Sequence, residues 1–116
     1  MAANPLSPSL GLQLSTETKG ETTMVYGSGR ITVDNCDLLR NTIRGLIPET
    51  RRIVFDMKDV DHIDSSGIGA LVSVFLAASK AQCNLELVNM QPRIRDLFEL
   101  ARLTAVFESR GGYSAA

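Results

Sequence analysis

The apolar residues of this chain recur first at every second position and then at every third and fourth, and the switch repeats along its length. Leu10, Leu12, Leu14 and Thr16 alternate with Gly11, Gln13 and Ser15, the two-residue period of a strand with one buried face. A turn at Lys19-Gly20-Glu21 and a second strand pattern from Thr22 to Ile31 predict an opening hairpin. Gly27 and Gly29 near its far end predict a bend or a close backbone approach. From Asp34 the spacing changes, and Cys36, Leu39, Ile43 and Leu46 form the stripe of an amphipathic helix that Pro48 stops. Arg52-Ile53-Val54-Phe55-Asp56 reads as a strand buried on both faces, and Lys58 to Asp64 as a polar loop. Ile68, Leu71, Val72, Phe75 and Leu76 then fall on one stripe of a helix from Ser66 to Ala81. Leu85, Leu87 and Val88 make the next strand. Pro92 suits the first turn of a third helix, with Ile94, Leu97, Phe98 and Ala101 as its buried face, and Thr104 to Glu108 reads as a last short strand.

The order β-β-α-β-α-β-α-(β) defines an α/β fold, a single domain with a mixed central sheet and helices packed on it. At 116 residues the chain is of one-domain size and can bury roughly two-thirds of its unfolded surface. The folded body is expected over 10–109, with flexible tails at 1–9, rich in Ala, Pro and Ser, and at 110–116 after Gly111-Gly112. Twelve Lys and Arg against thirteen Asp and Glu provide no basic field for nucleic acid. Cys36 and Cys83 lack metal-ligand spacing and read as reduced, packed thiols. With no long apolar run and no targeting pattern at the start, a cytoplasmic protein without direct membrane insertion is expected.

The residues that invite chemistry lie where the chain leaves the polar loop and enters the second helix, in Asp64-Ser65-Ser66-Gly67-Ile68-Gly69. In an open α/β sheet this is the carboxyl end of a strand, where ligands and partners dock. Asp64 and Ser65 are both good helix caps, so the plain reading is a cap and nothing more. Gly67 and Gly69 argue for more, because each glycine in a helix costs about 1 kcal/mol relative to alanine. Leaving out two Cβ atoms would make room for another protein or a phosphate beside free N–H groups and the positive end of the helix dipole.

Val60-Asp61-His62-Ile63-Asp64-Ser65-Ser66-Gly67-Ile68-Gly69-Ala70-Leu71 resembles the signature of STAS domains, particularly bacterial anti-sigma factor antagonists. Gly29-Arg30-Ile31, Ile53-Val54-Phe55-Asp56 and Ile94-Arg95-Asp96-Leu97-Phe98-Glu99-Leu100 resemble the family's second strand, central strand and third helix. The resemblance implies a partner switch: an anti-sigma factor serine kinase phosphorylates Ser66, the unmodified antagonist binds that kinase, and a serine phosphatase reverses the mark. No cofactor is implied for this chain, ATP belonging to the kinase, and no catalytic or metal-binding residues are expected. Asp64, Ser65, Gly67 and Gly69 would shape the site, and Arg30, Thr32, Asp61 and His62 would line the partner surface around it. Thr32 stands where phosphorylated members often have an acidic residue, and Gly27 where they have an apolar one. The family's final helix is expected to be absent after Phe107, so that either a partner or a neighbouring copy in a homo-oligomer covers the surface, or some apolar surface stays exposed.

Two rivals differ in class. A serine hydrolase would need Gly-x-Ser-x-Gly, but Ile63 and Asp64 stand where the first glycine belongs, and the lone His62 is close in sequence to the serines. A STAS scaffold or transporter-associated subunit would use the same loop as a constitutive docking surface, with Ser66 never modified. Nucleotide binding by this chain lacks support, since Gly67-x-Gly69 has Val72 where the third glycine belongs.

Overall fold

The computed structural model describes residues 11–103. Its elements run β1 (Leu12–Lys19), β2 (Thr22–Ile31), α1 (Cys36–Leu46), a short 3-10 turn (Ile47–Glu49), β3 (Arg52–Ile63), α2 (Ser65–Lys80), β4 (Asn84–Val88) and α3 (Pro92–Leu100). The sheet has the strand order β1-β2-β3-β4. β1 and β2 form the antiparallel hairpin, while β2–β3 and β3–β4 are parallel, as crossovers through α1 and α2 require. Each helix delivers apolar side chains to one cluster: Leu39 and Ile43 from α1, Leu71 and Phe75 from α2, Ile94 and Phe98 from α3. These meet Leu14, Val25, Phe55 and Leu87 from the sheet. The thiols of Cys36 and Cys83 are buried and free. Among the described residues, no helix is long and apolar enough to cross a membrane.

Of the polar loop expected at Lys58 to Asp64, Lys58 to Ile63 are instead the second half of β3, a strand of 12 residues. Pairing with β2 slips twice, between Tyr26 and Ser28 and between Gly29 and Arg30. At the second slip Asp61 is the extra residue, since Val60 pairs with Gly29 and His62 with Arg30. Each bulge adds a residue and re-aims those that follow, so burial recurs at Met57, Val60 and Ile63 with exposed pairs between. A period of three hides a strand from a search for period two. Polar side chains hold the first bulge: Asp56 accepts from the Lys58 N–H at 2.9 Å, and the Gln91 amide donates to the Lys58 carbonyl at 3.0 Å.

Two strand glycines have steric causes. A Cβ on Gly27 would lie 2.8 Å from the Phe55 ring and 3.2 Å from Val60, so the aromatic ring fills the space an apolar side chain would take. Gly29 has φ +109, and a Cβ there would strike the Gly11 carbonyl oxygen at 2.2 Å. That close approach lets the Arg30 N–H donate to Gly11 at 3.0 Å.

Two expectations about the helices need correction. Leu76 is 46% exposed rather than core, and Ala101 lies past the end of α3 and is exposed. The short strand expected at Thr104 to Glu108, the absent final helix and both tails lie outside the described residues.

Candidate functional site

The site is organised by one carboxylate. Asp64 has extended backbone geometry and caps α2: its Oδ1 accepts from the Gly67 N–H at 2.9 Å, while its Oδ2 accepts from the Val33 N–H at 3.1 Å. The first bond satisfies a helix-end donor that would otherwise lack a partner. The second ties the start of α2 to the loop between β2 and α1. The Asp64 N–H in turn donates to the Ile31 carbonyl at 3.1 Å. The Gly67 N–H is the main reason the Asp64 carboxyl titrates below its ordinary value; partial desolvation opposes it, and the Val33 and Ser66 N–H groups and His62 add to it.

A buried amide shapes the other side. Asn35 is 2% exposed; its Oδ1 accepts from the Thr32 N–H and its Nδ2 donates to the Arg30 carbonyl, both at 2.9 Å. Backbone bonds from Asn35 and Cys36 to the Thr32 carbonyl close the loop at 3.1 and 2.8 Å. The loop held this way presents Val33, 66% exposed, to solvent.

The bulge at Asp61 sets His62 beside Arg30 on the neighbouring strand. Arg30, His62, Thr32 and Asp64 therefore share an open notch of about 320 Å³, completed by Gly11, Val33 and Asp34. Asp61 does not line it; as the extra residue of the bulge it is exposed on its own. Ser65 is exposed and Ser66 partly exposed in the first turn of α2. Among the described residues, no hydrogen bond joins His62 to either serine.

The two helix glycines have different roles. A Cβ on Gly67 would lie 2.7 Å from the Ile31 carbonyl oxygen and 2.7 Å from an Ile63 side-chain carbon. Its missing side chain makes room for the strand ends beneath it, not for a partner, which corrects the sequence reading. Gly69 has nothing within 4 Å of its Cβ position and faces outward, away from the notch. Sequence reasoning also missed Val33, Asp34 and Asn35. Asn35 carries a usable signal, a short polar residue directly before the apolar stripe that opens α1.

A carboxylate bridging a helix start to a neighbouring loop can set a partly exposed serine in a fixed place on a protein surface. The STAS domain family model matches residues 13–113, and the chain belongs to that family. It is similar to the anti-sigma-B factor antagonist of Bacillus subtilis, 29% identical over 89 residues that cover 73% of this chain and 82% of the relative. Among solved structures, an anti-sigma factor antagonist from Mycobacterium paratuberculosis shares the fold with TM-score 0.75 at 18% identity, over 90% of this chain and 86% of the other. The phosphorylated form of the Bacillus cell fate determinant SpoIIAA does so with TM-score 0.68 at 19% identity, over 89% and 90%.

The Asp64 cap makes a pH prediction. Its folded-state pKa is depressed, so its contribution to stability is present above the unfolded carboxyl value, about 4, and is lost as pH falls through the lower folded value. Asp64→Asn is expected to lower the thermal midpoint at neutral pH, and the gap to wild type should close below about pH 4. Melting curves across this range check it; a gap that stays constant would mean the charge plays no part.

Proposed function

We propose that this chain is an anti-sigma factor antagonist that binds a kinase-type anti-sigma factor while Ser66 is unmodified and is released when Ser66 is phosphorylated. The observation that carries the reading is the placement of Ser66, partly exposed in the first turn of a helix capped by Asp64. That same carboxylate holds the loop presenting Val33. The similarity to the Bacillus subtilis anti-sigma-B factor antagonist supports the reading. So does the phosphorylated SpoIIAA structure, which gives an instance of this fold carrying a phosphate.

The physical logic is one of surface charge. The partner meets an apolar Val33, the notch with Arg30, Thr32 and His62, and the Ser66 hydroxyl. A phosphate on that hydroxyl adds about −1.5 to −2 charges and three acceptor oxygens that a fitted contact has no means to solvate. The dipole of α2 favours the phosphate within this chain, so the fold survives while the contact is lost. ATP belongs to the kinase, and a serine phosphatase restores the binding form.

Incubation with the cognate kinase-like anti-sigma factor and ATP, read by intact mass and peptide mapping, tests the proposal. One phosphate confined to Ser66 is the expected outcome. An unmodified chain that still binds its partner would point instead to a constitutive STAS scaffold, and labelling by a serine-reactive phosphonate would point to hydrolysis.

A further inference from the structure

α2 exposes a face that a solitary surface helix would not. An outward helix face is normally charged or polar, yet the 16 residues of α2 contain one charged side chain, Lys80 at the C-terminal end. Along the exposed side run Gly69, Val72 and Leu76, with Leu76 46% exposed. They floor an open groove of about 510 Å³ whose other wall is supplied by α1 through Arg44. The Arg44 guanidinium reaches the Ser73 hydroxyl at 3.5 Å. Neither Arg44 nor Lys80 is ion-paired among the described residues, whereas Arg40 on α1 is already paired with Asp37. Among the described residues, no carboxylate lines the groove.

We infer that this groove receives an amphipathic helix of the anti-sigma factor, with apolar anchors on one face and carboxylates flanking them. The inference rests on the function proposed above and extends the contact along α2 from Ser66. From Gly69 to Lys80 the helix rises about 16 Å, the length of three turns of a helical ligand presenting anchors at i, i+3 or i+4, and i+7. Gly69, with open space around it, lets the ligand backbone come close to α2. Charge selects among occupants. A two-fold contact with a second copy sets a patch against itself, which brings Arg44 and Lys80 towards their own duplicates. Anionic membranes are recognised by clusters of about four to eight basic residues, and two cations with a net chain charge of −1 do not make one. An acidic helix satisfies both the apolar floor and the unpaired cations.

The test is calorimetry of the full chain against the kinase-like anti-sigma factor that modifies Ser66, comparing wild type with Leu76→Glu and with Arg44→Glu/Lys80→Glu. Each variant is expected to lose about tenfold in affinity or more, with thermal midpoints within a few degrees of wild type, since the altered side chains lie on the surface and the charge reversals oppose only the last turns of α1 and α2. Raising salt should weaken wild type more than the charge-reversed variant. Affinities within twofold of wild type, while Ser66→Asp still abolishes binding, would overturn the groove and leave the functional proposal standing. A wild-type chain neither bound nor phosphorylated would overturn both. Sedimentation showing self-association that Leu76→Glu abolishes would assign the groove to a second copy. Co-sedimentation with phosphatidylglycerol vesicles lost in the same variant would assign it to lipid; either result overturns the inference.

Discussion

Ser66→Asp is expected to weaken binding to the anti-sigma kinase by about a hundredfold or more, while Ser66→Ala stays within a few-fold of wild type. The asymmetry follows from where the side chain stands. Ser66 is partly exposed beside Asp64, whose carboxyl is held ionised by the Gly67, Val33 and Ser66 N–H groups. Asp34 faces the same notch. A further negative charge therefore adds to an existing one at the point of contact, and a partner surface fitted to a hydroxyl must desolvate it without compensation. Within the chain, the helix dipole offsets part of that repulsion, so both variants should melt close to wild type. Alanine removes a hydroxyl and adds no charge. Calorimetry with the purified kinase reads the difference directly, and equal affinities for the two variants would refute the switch.

Two glycines separated by one residue should respond oppositely to alanine. At Gly67 the new methyl would meet a backbone carbonyl and a β-branched side chain at 2.7 Å each, and neither can swing aside. The first turn of α2 would have to lift from the ends of β2 and β3, at an overpacking cost of about 1–3 kcal/mol, only partly offset by alanine's better helix propensity. A drop in thermal midpoint of about 5–10 °C is expected, with weaker partner binding because Ser66 moves with the turn. At Gly69 the added methyl meets nothing within 4 Å, so the propensity gain of up to about 1 kcal/mol appears undiminished as a higher midpoint. Thermal melts of the two variants side by side settle the matter: destabilisation by both, or by neither, would contradict the packing at these two positions.

Much of the fold was legible because its signals are local. The stripe through Leu71 and Phe75, the opening hairpin and the cap at Asp64 each depend on contacts within one turn or one pleat. The second half of β3 was not legible, because two bulges replace the expected alternation with burial at Met57, Val60 and Ile63. Leu76 illustrates the same limit on a helix: it belongs to the apolar stripe by spacing, yet no element of the described structure covers it.

At the site, the order of elements, the capping residue and a serine in the first turn of α2 could be read from residue order, since all of these follow from neighbours a few positions apart. The surroundings of that serine come from segments distant in the chain. The bond from Val33 to Asp64 spans 31 positions, His62 reaches Arg30 through a one-residue slip, and Gly67 is demanded by two isoleucines from different strands. Such contacts depend on strand register, and a single inserted residue turns the following side chains to another face.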